Sequence, residues 1–193
     1  MASYLLNVLQ AQPRGRLLAW RAATGRVDVL ASGVWFANGV ALSADGASVL
    51  VVETVGMRVL RYWLRGEKVG ATEVFIEGLP GFPDGLSRAA DGGFWLALIL
   101  PDSPLRALAE RGGPLARWAL AWALQVVPLP ARRWGCVAKL SAEGAVERVL
   151  MDPDGSKIAG VSAVEEHGGR LLMGHLGGDY VSVLDLAALD RVI

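Results

Sequence analysis

The sequence has one cysteine, Cys136, two histidines, His167 and His175, and no excess of either charge, with 19 basic and 19 acidic residues. A lone cysteine cannot close an internal disulfide, so nothing here demands an oxidising compartment. Balanced charge gives no long-range field toward a polyanion, so a nucleic-acid partner is not expected. Paired-cysteine zinc spacing, a nucleophile elbow, a phosphate loop and a Ser-His-Asp order are all missing, which disfavours a triad hydrolase. Long apolar runs are also missing. Outside the strands the longest uncharged stretch, Trp118 to Ala131, has about 14 residues and two prolines, short of the roughly 20 that span a bilayer. The start, Met1-Ala2-Ser3-Tyr4, has neither the basic residues nor the apolar run of a secretory leader.

What is present is glycine, 24 residues of it, and a hydrophobic content of 53% in 193 residues, enough for one sizeable core. The apolar segments are short, rich in β-branched and aromatic residues, and separated by Asp-Gly, Glu-Gly and Thr-Gly steps suited to tight turns. The chain therefore reads as all-β. A repeat organises it. Asn38-Gly39-Val40-Ala41-Leu42 leads through Asp45-Gly46 to the run Val49-Leu50-Val51-Val52. Asp84-Gly85-Leu86-Ser87-Arg88 reaches Asp91-Gly92 at the same offset, then Phe94-Trp95-Leu96-Ala97-Leu98. A looser third copy runs from Val161-Ser162-Ala163-Val164 through His167-Gly168-Gly169 to Leu171-Leu172-Met173.

Further amphipathic hairpins follow these copies, at Met57–Leu64 with Thr72–Ile76 and at Cys136–Leu140 with Val146–Leu150. Four strands in about 46 residues is the size of a propeller blade. The segment Arg16–Trp20, with its turn at Thr24-Gly25, reads as the outer half of an earlier blade. The expected architecture is one partial β-propeller domain over 1–193, about three and a half blades. The second and third copies are further apart by roughly 32 residues, placing an insertion near 99–134. There Leu105, Leu108, Leu115, Trp118, Trp122 and Val126 recur at near-helical spacing. One or two short helices are expected, packed on the propeller, covering a substrate entrance, or making a peripheral membrane contact.

In a propeller the innermost strands line the central channel. Asn38, Asp84 and Ser162 hold the equivalent position at the start of each innermost strand, so their side chains are expected to face it. Asn-Gly and Asp-Gly alone would signify turns; the matched place in a repeat turns Asn38 and Asp84 into candidate ligands of Ca²⁺ or another divalent metal, which takes oxygen donors. Asp84 is also the candidate catalytic base, orienting and deprotonating a water that attacks an ester or lactone carbonyl. Ser162 can equally bond a strand end. His175 follows a buried strand and can face the channel or the next blade, whereas His167 lies in a solvated turn.

Three stretches carry a family likeness: Phe36-Ala37-Asn38-Gly39-Val40-Ala41-Leu42-Ser43, Arg61-Tyr62-Trp63-Leu64-Arg65-Gly66 and Leu79-Pro80-Gly81-Phe82-Pro83-Asp84, with the tail Val164–Leu172. Together they resemble the strictosidine synthase-like family, which is similar to the gluconolactonase, regucalcin and paraoxonase propellers. The resemblance covers roughly residues 14 to 186 and implies the later half of a six-bladed propeller with an axial divalent metal, of which Asn38 and Asp84 match two metal-facing positions. Gly85 follows Asp84, where the strictosidine-like and paraoxonase patterns usually have asparagine. Ser162 stands where true strictosidine synthases carry a catalytic glutamate, so condensation of an amine with an aldehyde is not expected.

The family's amino-terminal blades, which supply further metal ligands, have no counterpart in these residues, so the metal site is expected to be incomplete. Self-association that closes the open arc is one expectation. The resemblance implies an arylesterase- or lactonase-type hydrolase acting on a small ester or lactone. The alternative is a non-catalytic propeller, a scaffold or membrane-associated binding protein. Relatives are often secretory or membrane-associated.

Overall fold

The computed structural model describes residues 12–102 and 133–189, with 112, 113, 115, 118, 119, 122 and 123 between them. Thirteen strands are described: β1 (Gly15–Arg21), β2 (Arg26–Val34), β3 (Ala37–Leu42), β4 (Ser48–Glu53), β5 (Arg58–Trp63), β6 (Thr72–Ile76), β7 (Gly81–Arg88), β8 (Phe94–Pro101), β9 (Gly135–Leu140), β10 (Val146–Asp152), β11 (Val161–His167), β12 (Arg170–His175) and β13 (Val181–Asp185). They form four antiparallel sheets whose strands are adjacent in sequence order: β1-β2, β3-β4-β5-β6, β7-β8-β9-β10 and β11-β12-β13. The two four-stranded sheets are the blades expected from the repeat. The fold is a partial β-propeller.

Burial on both faces explains the strand sequences. β4 is Ser-Val-Leu-Val-Val-Glu and every residue of it is buried; such a strand cannot alternate polar and apolar residues. In β8, Phe94, Leu96 and Leu98 pack toward the preceding blade, with Leu50, Val52, Val59, Phe75 and Leu79. Trp95 and Ala97, on the other face, pack with Val161, Val164, Leu171 and Met173 of the following sheet. A polar tie crosses the same junction, where Trp95 Nε1 donates to Glu166 Oε2 at 2.7 Å. Cys136 lies in the first of these cores and its thiol is pushed up to about 12 by burial alone, so it is held protonated and unreactive.

The terminal sheets expose apolar side chains, among them Trp20, Val27 and Val29 on β1-β2 and Val181 and Val183 on β13. The expected insertion begins later than its sequence limit, because Ile99, Leu100 and Pro101 continue β8 in register with Phe82 and Gly81. Gly113, Leu115, Trp118, Ala119, Trp122 and Ala123 are helical, in accord with the spacing, and Gly112 is in a turn; the remainder of 103–132 lies outside the described residues. The connection leaves β8 beside Gly81, the end of the blade that carries Asp84.

Candidate functional site

The innermost strands β3, β7 and β11 each break register at the same place. In β3, Ala37 pairs with Glu53 and Val40 with Val51, which leaves Asn38 and Gly39 opposite a single residue. In β7, Pro83 pairs with Leu98 and Leu86 with Leu96, which leaves Asp84 and Gly85 opposite one residue. In β11 the irregularity falls between Val161 and Ala163, at Ser162. A bulge re-aims side chains and sharpens local twist, so the three repeat positions share a backbone device as well as a place in the sequence.

Glycines let these bulges touch. A Cβ on Gly39 would lie 2.4 Å from the Asp84 carbonyl oxygen and 2.6 Å from Leu86 N, and one on Gly85 would lie 2.6 Å from the Ser162 carbonyl oxygen. Both contacts are with backbone of the neighbouring sheet, which cannot swing aside. The glycine after Asp84 thus has a local cause: at this approach of β7 to β11 a side chain has no room, and an asparagine there would need the strands further apart.

The side chains of Asn38 and Asp84, both half-buried, come together across the junction, close enough for the Asn38 amide to favour the ionised Asp84 carboxylate. Burial raises the Asp84 pKa above its ordinary value, and the nearby Asn38 amide partly offsets that. Among the described residues no basic side chain forms an ion pair with Asp84. Nor do the described residues contain a cluster of three or more His, Cys, Asp or Glu side chains fit to hold a metal. A carboxylate beside a carboxamide, both partly withdrawn from water and without a neighbouring cation, suits a hard divalent cation in kind. Two such groups are fewer than the six to eight oxygens it takes, so the described residues supply part of a ligand set.

Ser162 and His175 are otherwise engaged. Ser162 Oγ donates to the Gly174 carbonyl across its own hairpin at 3.4 Å, the strand-end bond that its hydroxyl allows. His175 Nδ1 lies 3.0 Å from the Ala159 carbonyl oxygen and Nε2 lies 2.9 Å from Ser182 Oγ, with Tyr180 tilted against its ring at 4.5 Å. A carbonyl only accepts, so Nδ1 carries the proton and Nε2 accepts from the serine hydroxyl. The ring ties β12 to β13 and to the loop that leads into β11. His167 ends β11, exposed, beside the turn at Gly168-Gly169.

Two residues that the sequence reading passed over hold Asn38 in place. Glu53, fully buried, accepts from the Trp35 backbone N–H at 2.7 Å through Oε1 and from Arg58 through Oε2. Thr54, also buried, donates its backbone N–H to the Phe36 carbonyl at 3.2 Å and accepts from Asn38 Nδ2 at 3.2 Å through Oγ1. The segment Trp35–Asn38, which includes Phe36 at a φ of 59°, is therefore pinned at three points. The available signal was Glu53 itself, a charged residue closing an otherwise apolar strand, with Arg58 five residues on.

Comparison with known proteins agrees with this architecture. The strictosidine synthase family matches residues 1–67. The human adipocyte plasma membrane-associated protein is 35% identical over 191 residues, covering 96% of this chain and 46% of that protein. Strictosidine synthase-like 10 of Arabidopsis thaliana is 35% identical over 192 residues, covering 95% of this chain and 50% of the relative. The chain spans about half the length of the curated relatives it matches. Among solved structures, a calcium-binding regucalcin from Agrobacterium tumefaciens superposes with a TM-score of 0.56 at 18% identity over 93% of this chain and 49% of its own. A gluconolactonase-family protein superposes with a TM-score of 0.55 at 19% identity over 89% of this chain and 46% of its own. These superpositions show a shared propeller fold.

Proposed function

We propose that this chain, related over nearly its whole length to strictosidine synthase-like proteins, forms part of a metal-dependent hydrolase of small esters or lactones. The observation that carries the reading is the meeting of Asn38 and Asp84 between two bulged inner strands, without a basic partner among the described residues. A bound divalent cation such as Ca²⁺ would supply polarisation of the substrate carbonyl. Asn38 and Asp84 would contribute oxygens to hold it. Asp84 would also orient a water toward the carbonyl carbon and accept its proton as the new carbon–oxygen bond forms. Strictosidine synthesis is not proposed, because Ser162 offers a hydroxyl already bonded to Gly174 in place of a carboxylate.

The test is turnover of a chromogenic aryl ester and a simple lactone by the protein with Ca²⁺ and after exhaustive chelation. Chelation is expected to lower the rate by about 100-fold or more, the scale of carbonyl polarisation by a metal, and added Ca²⁺ to restore it. Rates unchanged by chelation would remove the metal from the reading. No turnover under any condition would remove the hydrolase.

Trp118 and Trp122 favour a second reading, a binding platform. They are four residues apart, helical, and 68% and 61% exposed, and exposed indoles with an apolar neighbour such as Leu115 suit the membrane interface. Under this reading the protein floats with phosphatidylcholine–phosphatidylserine vesicles without turning over esters or lactones, and the W118A/W122A double variant stays in the soluble fraction with its melting temperature unaltered. Equal flotation of both proteins, or of neither, would exclude a membrane role for these tryptophans.

A further inference from the structure

The hydroxyl of Thr54 is the one buried side-chain group described as bonded to a candidate ligand without facing the other. Its Oγ1 accepts from Asn38 Nδ2 at 3.2 Å, and the bulge that carries Asn38 and Gly39 lies against the backbone of Asp84. In this arrangement the amide nitrogen, which cannot bind a cation, is the atom held on the threonine. Its oxygen can take that place only if the carboxamide rotates about its terminal bond. Most buried partners would resist this, since a carbonyl only accepts and an N–H only donates. A threonine hydroxyl does both: it accepts from the amide nitrogen as seen here and can donate to the amide oxygen once the group has turned.

The backbone of Thr54 makes the hydroxyl a fixed reference. Its N–H is held on the Phe36 carbonyl, and the preceding residue, Glu53, is anchored by Trp35 N–H and Arg58. Thr54 is 3% exposed, so water does not readily replace it as a partner.

We propose that Thr54 is the positioning residue of this site, holding the Asn38 carboxamide in either orientation so that its oxygen can be presented beside Asp84 to a divalent cation. The inference rests on the metal-binding reading above and assigns that reading a residue which itself touches neither metal nor substrate. Groups that orient a ligand in this way typically govern 10- to 100-fold in metal affinity.

The experiment is titration of the protein with Ca²⁺ alone, read by calorimetry or by competition with a chromophoric chelator, for the natural chain, T54V and T54S. Thermal unfolding in excess chelator is followed in parallel. T54V, which keeps the shape and loses the hydroxyl, is expected to bind Ca²⁺ at least ~10-fold more weakly, and T54S to bind within about twofold of the natural chain. The ion-free midpoints of natural chain and T54S should agree. If T54V does not fold, T54A makes the same comparison. Ca²⁺ binding by T54V or T54A as tight as that of the natural chain overturns the inference and leaves the metal reading standing. Absence of Ca²⁺ binding by the natural chain overturns both.

Discussion

Replacing Phe94 by alanine is expected to cost about 3–5 kcal/mol of stability, the range for removing a fully buried aromatic ring. The ring is 1% exposed and meets Phe75 of the preceding blade edge to face, with centroids 5.7 Å apart and planes at 82°. Such pairs contribute beyond the area they bury. Around it stand Leu79 of the β6–β7 connection and Leu86 and Leu140, the last two on strands fixed by their own ladders, so the void would not close by a simple shift of side chains. Against a total near 5–15 kcal/mol for a domain, this is a loss of about a fifth or more. Urea unfolding followed by tryptophan fluorescence should show a large drop in midpoint. A change under ~1 kcal/mol would mean that the two blades are not held together by this contact.

Replacing Asp84 by asparagine should separate function from stability. In the ion-free protein the folded-state pKa of Asp84 is raised by burial, so between the unfolded value and that raised value the folded chain binds more protons than the unfolded one. Stability from this group is therefore full below the unfolded pKa of 3.8 and lost as pH rises through the folded one. At neutral pH the ionised carboxylate is a burden that asparagine removes. Asp84→Asn is expected to raise the melting temperature in excess chelator at pH 7, to flatten the fall of stability with pH just above 3.8, and to lower Ca²⁺ affinity by about 100-fold or more, since ligand charge sets affinity in such sites. A variant that melts lower than the natural chain at pH 7 would contradict the burial argument. One that binds Ca²⁺ equally well would remove Asp84 from the ligand set.

The architecture was readable because it rests on repetition and burial. The offset from Asn38-Gly39 to Asp45-Gly46 recurs from Asp84-Gly85 to Asp91-Gly92, and both copies lead into strands whose faces are both buried, β4 and β8. The strands observed match those expected to within one or two residues at most ends. Asn38 and Asp84 were legible as a pair for the same reason. Thr54 was not, since a single threonine after an apolar strand has no pattern; its part depends on the bulge that swings Asn38 across to it. The cause of Gly85 was hidden likewise, because only the approach of β7 to the Ser162 carbonyl excludes a side chain there. For Ser162 and His175 the bonds to Gly174, Ala159 and Ser182 come from their own sheet and the loop leading into it, a geometry that residue type alone does not carry.

The long excursion between β8 and β9 has a thermodynamic side. The corresponding hairpin of the previous blade, from Glu53 to Arg58, is joined by four residues, whereas Pro101 and Gly135 are joined by about 33. Chain-closure entropy grows only with the logarithm of length, about 0.6 kcal/mol for each doubling. Three doublings therefore handicap this blade by only about 2 kcal/mol, less than the ring of Phe94 alone is expected to contribute. A propeller hairpin can thus take in roughly thirty extra residues at one step for less than one good core contact.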